Sequence, residues 1–322
     1  PEQTWALRYG DCKAKTLLLL GLRQGMGIEA EPVLANTLYG DLVANRLPSA
    51  AAFNHIIVRA VIDGESLWLD GTGLGARMED IRDTPPFRNV LPLRAQGTGL
   101  MMIEPRKAGR PTFDLAMTID ETTSVDLPSV SDLTLVLRGG PGIRLNLVRN
   151  QLDAQRQREV FGQFLSNLVG ESQFSDIELL PDEQAGSLTI KARGVTSTAW
   201  RWDDKAMKRG VDRALAGIDF APDRARAAWQ SIPVATPDAD ARRFRMQIRL
   251  PDQGRDFRID GQQTLNEQIA GYAINRTVTL DKGVVTVEER VDTSGIEIPA
   301  AQAGTERDRL ATAQVRAPRI IA

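Results

Sequence analysis

The chain has 322 residues, which is too long for one ordinary domain and predicts two domains or, at most, about three. Hydrophobic residues make up 42% and charged residues 25% of the sequence, as in folded proteins, and the formal net charge of −2 disfavours a nucleic-acid-binding surface. No apolar run reaches about 18 residues, so no membrane span is expected, and the single Cys and single His exclude zinc cages built from three or four such ligands.

The first block of the chain has the pattern of a helix followed by antiparallel strands. The predicted elements are a helix over residues 13–24, an extended segment over 28–37, a strand over 54–63 and a return strand over 66–70. Gly25 and Gly27 end the helical pattern, and the Asp63-Gly64 pair predicts a tight hairpin between the two strands. This order of elements is typical of an α+β fold.

Prolines and glycines concentrate in residues 82–110, which predicts either a linker or a segment that runs over the surface. We place the domain boundary near residue 108. Residues 1–108 then hold the core and its linker, and residues 109–322 form a β-rich C-terminal domain. A break near 233–238, between two prolines, is an alternative division of that domain.

The C-terminal domain is predicted to be mostly β-structure with inserted helices. The predicted strands begin at Asp114, Leu133 and Gly142 and cover residues 176–180, 187–192, 242–250, 273–280 and 284–290. The predicted helices cover residues 153–169, 204–218 and 221–232. The GGPG segment from Gly139 is interpreted as a turn between strands, because no GK[ST] follows it as a phosphate loop requires.

Cys12 lies where the first predicted helix begins, directly after Gly10 and Asp11. Free N–H groups and a partial positive charge at a helix N-terminus favour the thiolate, which is the nucleophilic form of cysteine. The same N–H groups can hold the oxyanion of a tetrahedral intermediate. The competing interpretation is a small buried residue without chemistry, which is common for a lone cysteine.

His55 and Asp70 lie on the two strands of the predicted hairpin. If Asp63 and Gly64 are the two loop residues, His55 faces Thr72 across the hairpin, and Asp70 lies on the diagonal of that pair. Diagonal neighbours are about 7–8 Å apart, within reach of an imidazole and a carboxylate. The spacing therefore predicts that Asp70 orients His55. A surface histidine and an ordinary turn aspartate are the competing interpretations.

The motifs around these residues resemble the core of the bacterial transglutaminase-like superfamily. The resemblance rests on GDCKAK from Gly10, LLLLGLRQGMGIEAEPVL, Asn54-His55 and LWLDGT from Leu67, and it covers about residues 3–72. Ala14 departs from the usual G-D-C-K-D-K. The resemblance implies a papain-like α+β core in which Cys12 is the nucleophile, His55 the base and Asp70 the orienting acid. It also places a leading β-rich domain and the first part of the core outside this chain.

The resemblance implies a cysteine enzyme that acts on amide, peptide or isopeptide bonds through an acyl-enzyme. Hydrolysis is favoured over amine transfer, no cofactor or metal is implied, and the expected partner is a peptide or protein substrate. Such proteins are typically exported in bacteria, so a periplasmic or exported location is expected. The alternative is a non-catalytic binding or assembly module on a retained transglutaminase-like scaffold.

Trp5, Tyr9 and Asn54 are candidates for the substrate cleft, although Trp5 and Tyr9 are equally expected to pack on the first helix. The cluster Trp200-Arg201-Trp202 is interpreted as packing, with a carbohydrate or peptide contact as the alternative. No Cys or His occurs after His55, so the region from about Phe113 onward is predicted to fold separately and to carry no catalytic residue.

Overall fold

The computed structural model describes residues 1–38 and 40–322. The chain divides into two compact units, which we call unit 1 (Pro1–Arg110 with Pro237–Ala239) and unit 2 (Pro111–Thr236 with Asp240–Ala322). Helices and several largely antiparallel sheets make up both units, so the predicted α+β class is confirmed. In the described part of the chain, no helix has the length and apolar character needed to cross a membrane.

Unit 1 is a five-stranded antiparallel sheet with two helices. Its elements are α1 (Glu2–Leu7), α2 (Cys12–Gly25), β1 (Glu29–Ala35), β2 (His55–Ile62), β3 (Glu65–Leu69), β4 (Asn89–Pro92) and β5 (Met101–Met102). The strands lie in the order β3-β2-β1-β4-β5. A small core is formed on the sheet by residues that are 0–5% exposed, among them Val33, Ile57, Phe87, Val90 and Ile103.

The hairpin between β2 and β3 has the predicted register. Asp63 and Gly64 both have positive φ, 51° and 77°, which is the conformation of a two-residue type I′ turn. Pairing runs from Ile62 opposite Glu65 to Val58 opposite Leu69, as the Asp-Gly position requires. The turn therefore fixes which residues of the two strands lie near each other at the far end of the hairpin.

The prediction of a linker over residues 82–110 was wrong for its middle part. Residues Asn89–Pro92 form β4, which pairs with β1, and β4 in turn pairs with β5. Val90 and Ile103 are buried in the core of unit 1. The prolines flank or end the short strands instead of interrupting them, and a backbone bond from Leu93 N to Pro32 O (2.9 Å) continues the ladder.

Unit 2 contains an eight-stranded sheet, a four-stranded sheet and a two-stranded ribbon. Their orders are β15-β16-β17-β13-β6-β7-β9-β8, β10-β11-β19-β14 and β12-β18. The elements are β6 (Phe113–Asp120), β7 (Ser129–Arg138), α3 (Gly139–Asn150), α4 (Ala154–Val169), β8 (Ser172–Asp182), β9 (Ser187–Thr196), β10 (Arg201–Asp203), β11 (Ala206–Gly210), β12 (Val234–Ala235), β13 (Asp240–Arg249), β14 (Arg258–Asp260), β15 (Thr264–Ile269), β16 (Tyr272–Asp281), β17 (Val284–Thr293), β18 (Glu297–Ile298), α5 (Ala300–Val315) and β19 (Arg319–Ile321).

The strands β6 and β13 pair in parallel in the middle of the eight-stranded sheet, whereas its other neighbours are antiparallel. The pairing joins Phe113 to Arg242 at one end and Asp120 to Arg249 at the other. Phe161 and Leu165 of α4, which are 0% exposed, pack on one face of the sheet and form its core with residues of six strands.

Four predictions for unit 2 were wrong. Residues from Gly142 form part of α3 instead of a strand, and the GGPG segment is the first turn of this helix. Alternating apolar residues in so short a run satisfy a helical period as well as an extended one. Residues 204–218 contain a 3-10 turn and β11, which forms a strand because it pairs with the distant β19. Residues 221–232 contain only a 3-10 turn.

Several charged side chains are buried in unit 2, and two groups of them contain an ion pair with both partners in the interior. Glu121 is 0% exposed in its side chain and accepts hydrogen bonds from Ser129 Oγ (3.1 Å), Trp200 Nε1 (2.8 Å) and the guanidinium of Arg209. Each carboxylate oxygen therefore has a donor, which compensates for the loss of water around the charge.

The second buried group joins Asp212, Arg276 and Glu289. The guanidinium of Arg276, 0% exposed, donates to Asp212 and, at 3.0 Å, to the Gln262 carbonyl. Glu289 Oε2 accepts from the backbone N–H groups of Arg213 (2.9 Å) and Ala214 (3.1 Å), whereas Oε1 has no partner among the described residues. Burial, and then the nearby charge of Asp212, raise the pKa of Glu289 to about 8.

Candidate active site

Cys12 is the first residue of α2, as the sequence predicts. Asp11 precedes the helix in an extended conformation, and its Oδ1 accepts a hydrogen bond from Ala14 N at 2.8 Å. This cap uses one of the free N–H groups of the first turn. The Cys12 side chain is half-buried at the positive end of the helix.

His55 and Asp70 are in contact through a hydrogen bond. His55 Nε2 lies 2.8 Å from Asp70 Oδ2, and the side chains are 11% and 24% exposed. His55 begins β2 and Asp70 follows the last residue of β3, so the hairpin register brings the two side chains together. The imidazole also packs against the ring of Phe87, with 5.5 Å between centroids.

Asp70 is held as a carboxylate by three donors. Oδ1 accepts from Thr72 N at 2.8 Å and from Thr72 Oγ1 at 2.6 Å, and Oδ2 faces the imidazole of His55. Burial opposes ionisation of this carboxyl, but the hydrogen bonds from Thr72 and His55 outweigh it. The pKa of Asp70 therefore lies below its ordinary value.

The first two turns of α2 are fixed against both strands of the hairpin. Thr16, one turn after Cys12, is 2% exposed, and its Oγ1 donates to the carbonyl of Ile56, the residue after His55 (3.2 Å). On the other side, a Cβ at Gly71 would lie 3.0 Å from Lys15 Cβ, so the loop after Asp70 packs closely against the Lys15 side chain. The contacts bring the start of α2 to the strand ends that carry His55 and Asp70.

The hydrogen bond expected between the Cys12 thiol and the His55 imidazole is not formed. In the described part of the chain, Cys12 Sγ makes no hydrogen bond to His55, and the second ring nitrogen of His55, Nδ1, has no hydrogen-bond partner. A base needs a free nitrogen to receive a proton, and Nδ1, the ring nitrogen that does not bond Asp70, is free with respect to the described residues. Catalytic hydrogen bonds are often long in the absence of substrate.

The three cleft candidates have different surroundings. Trp5 and Tyr9 are 64% and 79% exposed and line a groove beside α2. Asn54 is engaged elsewhere: its Oδ1 accepts from Thr37 N (2.9 Å) and its Nδ2 donates to Thr37 Oγ1 (3.0 Å). Asn54 therefore closes the loop that follows β1.

The groove has a volume of about 350 Å³ and lies between α1 and α2. A Cβ at Gly10 would lie only 2.9 Å from Thr4 Cγ2. The absence of a side chain at Gly10 therefore allows α1 to pack directly on the start of α2. The lining residues are Thr4, Trp5, Arg8, Tyr9, Lys15, Leu18, Leu19, Leu22 and Gly71. We call this feature the α1–α2 groove.

Sequence reasoning missed Thr16, Phe87 and Thr72 as positioning residues of the site. Thr16 had a detectable signal, because a threonine inside an apolar helical stripe suggests a buried hydroxyl with a partner. Thr72 follows Asp70 by two residues, which is the spacing of an Asx turn. Phe87 lies in the segment interpreted as a linker and had no signal of its own.

The remaining candidates lie outside this site. Trp200 is 5% exposed and bonds Glu121, so it is a packing residue, while Trp202 is 71% exposed. Across residues 1–38 and 40–322, no group of three or more His, Cys, Asp or Glu side chains is arranged to hold a metal ion.

Comparisons with known proteins give one structural match. No family model matches the chain, and no curated protein matches it. A crystal structure of a "putative protease" from Parabacteroides distasonis aligns with 11% sequence identity and a TM-score of 0.42. The alignment covers 100% of this chain and 46% of that protein, so the chain spans just under half the length of this relative. The resemblance of residues 3–72 to the transglutaminase-like core stays a prediction from the motifs.

Proposed function

We propose that the protein is a cysteine-dependent acyl-transfer enzyme that acts on amide bonds of peptides or proteins. In this proposal Cys12 is the nucleophile, His55 the general acid and base, and Asp70 the residue that orients the imidazole. The observation that carries the proposal is the 2.8 Å hydrogen bond between His55 Nε2 and Asp70 Oδ2, which leaves Nδ1 without a partner among the described residues.

In the first half of the reaction, the thiolate of Cys12 attacks the carbonyl carbon of the amide. N–H groups in the first turn of α2 that Asp11 does not use can stabilise the negative oxygen of the tetrahedral intermediate. The carbon–nitrogen bond then breaks, and the imidazolium of His55 donates its proton to the departing amine. A thioester and a neutral imidazole remain.

In the second half, the neutral imidazole takes a proton from water, and the water oxygen attacks the thioester. The carbon–sulfur bond breaks, the acid leaves, and the thiolate and imidazolium return. An amine in place of water gives transamidation. Hydrolysis is favoured, because water is always present and no amine-binding feature was recognised in the sequence.

Asp70 contributes by fixing the ring and by stabilising its positive charge. Its lowered pKa keeps it ionised at neutral pH, and the two bonds from Thr72 hold its second oxygen away from the imidazole. An ionised carboxylate 2.8 Å from Nε2 favours the proton on that nitrogen in the neutral ring. Nδ1 is then the acceptor.

The alternative is a binding or assembly module that keeps the scaffold without catalysis. The observation in its favour is the missing hydrogen bond between Cys12 Sγ and the imidazole. We propose in either case that the protein acts after export from a bacterial cell, as the family resemblance implies.

The pH dependence of cysteine alkylation separates the two functions. Iodoacetamide is expected to modify Cys12, the single cysteine, rapidly already near pH 6, where a thiol without an activating partner reacts slowly. His55→Ala should slow the reaction at pH 6 much more than at alkaline pH, and Asp70→Asn should have a smaller effect of the same kind. His55→Gln, with circular dichroism, controls for misfolding.

If the wild type and both His55 variants are alkylated at the same rate near pH 6 while remaining folded, Cys12 is not activated by His55. The protein is then better described as a binding module. A mass increase that corresponds to a thioester, trapped by rapid acid quench with an activated ester, would in contrast support the acyl-enzyme.

A further inference from the structure

The α1–α2 groove combines an apolar lining with two cations that have no acidic partner. Trp5, Tyr9 and Leu22 are among its apolar lining residues and are 45–79% exposed. Arg8 and Lys15 also line it, and neither makes an ion pair or a side-chain hydrogen bond with the described residues. A groove of this kind fits a ligand that offers both an apolar group and a negative charge.

The acidic side chains closest in sequence to Arg8 and Lys15 already have other partners. Glu2 lies 3.5 Å from the amino group of Pro1, and Asp11 caps α2 through Ala14 N. The lining residues themselves include no carboxylate. The positive charge of Arg8 and Lys15 is therefore available to a ligand.

The groove begins next to the proposed catalytic residues. Gly71 follows Asp70 directly, and Lys15 lies one helical turn after Cys12. From Lys15 to Leu22 the helix rises by about 10 Å, at roughly 1.5 Å per residue. An extended peptide advances about 3.3 Å per residue, so the groove accommodates about three residues.

We propose that this groove binds the acyl side of the substrate, and that the preferred substrates are peptide segments with an acidic residue beside an apolar residue near the scissile bond. The carboxylate lies against Lys15 and Arg8, and the apolar side chain lies against Trp5 and Leu22. This inference rests on the proposed function, because it assumes that the acyl group is delivered to Cys12.

Matched irreversible probes test the substrate class. We would compare the rates at which three tripeptide chloromethyl ketones, acetyl-Leu-Glu-Gly, acetyl-Leu-Gln-Gly and acetyl-Leu-Lys-Gly, modify Cys12, as measured by mass spectrometry. Acetyl-Glu-Leu-Gly and its Gln and Lys equivalents cover the other order. In at least one order of the two residues, the Glu probe should react about tenfold faster than the Lys probe, with the Gln probe between them. The reason is that two partly exposed ion pairs, with Lys15 and Arg8, together contribute about 1.4 kcal/mol, which corresponds to about tenfold.

Charge reversal in the groove gives the decisive variant. Lys15→Glu should reverse the order of the Glu and Lys probes, and 1 M salt should reduce the preference of the wild type. Lys13→Glu is the matched control, because Lys13 lies in the same helical turn, is exposed and does not line the groove. Trp5→Ala should slow the Leu-containing probes relative to the same probes with Gly in place of Leu.

Equal rates for the three charges in both orders, in a folded wild-type protein, would overturn the inference and leave the proposed function intact. An unchanged preference in folded Lys15→Glu would also overturn it, and Lys15→Gln serves if the reversal variant does not fold. A failure of the proposed function has a different signature, which is an alkylation rate near pH 6 that His55→Ala does not change.

Discussion

In unit 1 the ionised side chains are partly exposed to water, whereas in unit 2 several ionised side chains are fully buried. The side chains of Asp70 and Glu31 are 24% and 20% exposed, and hydrogen bonds from Arg94 hold the pKa of Glu31 at about 2. The side chains of Glu121 and Arg276 are 0% exposed, and each forms an ion pair with another buried side chain.

If the proposed function is correct, this difference separates the groups that act in chemistry from those that act in folding. Exposed and half-exposed groups can exchange protons with substrate and solvent, which acyl transfer requires. Buried ion pairs contribute little to net stability, but the loss of one partner leaves an uncompensated charge. Disturbing charges in unit 1 should therefore affect chemistry, and disturbing charges in unit 2 should affect folding.

The largest effect is expected for Asp70→Asn. The amide can no longer stabilise an imidazolium and favours the wrong tautomer of His55, so kcat/KM for a small amide or ester should fall on the order of 10³–10⁴-fold. The melting temperature should change little. The measurement is steady-state kinetics beside thermal unfolding.

Asp63→Asn is the matched control, because Asn accepts the positive φ of the hairpin turn as well as Asp does. Its kcat/KM should equal that of the wild type. A loss of activity in this control comparable to that of Asp70→Asn would show that the hairpin, and not the carboxylate, is responsible.

The next effect is expected for Glu121→Ala in unit 2. Arg209 and Trp200 would lose their shared acceptor, and an unpaired buried guanidinium should lower the free energy of unfolding by about 3–5 kcal/mol. Glu159→Ala, which removes an exposed pair with Arg156, should have no measurable effect. Urea unfolding measures both.

Alkylation of Cys12 reports on unit 1 in the same samples. If unit 1 folds by itself, the pH profile of alkylation in Glu121→Ala should be that of the wild type under conditions in which unit 2 is destabilised. A profile that changes together with the unfolding of unit 2 would contradict independent folding.

A smaller effect, with a defined pH dependence, is expected for Glu289→Gln. Glu289 has a folded-state pKa of about 8 against 4.5 in the unfolded chain, so the folded state holds a proton that the unfolded state has lost between these values. The stability that the Glu289 carboxyl group contributes to the wild type is fully present below pH 4.5 and is lost as the pH rises through about 8. Glu289→Gln cannot ionise, so its stability has no such loss.

Thermal unfolding from pH 4 to pH 9 measures this difference. The melting temperature of Glu289→Gln, relative to the wild type, should increase across the range and be higher by roughly 3 °C or more at pH 9. A difference that is constant with pH would show that Glu289 is ionised in the folded protein near neutrality.

The smallest structural change that we expect to affect activity is produced by Gly71→Ala. The new Cβ would lie 3.0 Å from Lys15 Cβ and would push the loop after Asp70 away from α2 by a few tenths of an ångström. Displacement of Asp70 by this amount should reduce kcat/KM by about tenfold. Gly21→Ala in the same helix, where the added Cβ meets nothing within 4 Å, should raise stability by up to about 1 kcal/mol without lowering activity.

The part of the site that depends on local chemistry could be predicted from sequence. Asp63-Gly64 fixes the hairpin register, and the register alone brings His55 to Asp70. The first helix was predicted over residues 13–24 and is observed over Cys12–Gly25, because its apolar spacing and its Asp11 cap agree.

The parts that depend on distant pairing could not be predicted. The strand β11 forms because β19, more than a hundred residues later, pairs with it, whereas its own sequence suits a helix. The strand β4 is four residues long and pairs with β1 through only two residue pairs, so it is too short to give a periodic signal. Tertiary pairing overrides local preference in both cases.

The parallel pairing of β6 with β13 has a consequence for how the chain is made. These strands are 129 residues apart, whereas all strands of unit 1 lie between Glu29 and Met102. A ribosome exposes β6 long before its partner, so the unpaired edge of β6 is open to other chains during that interval. Closing so long a loop also slows folding. Unit 2 is therefore expected to refold more slowly than unit 1, with a yield that falls as protein concentration rises.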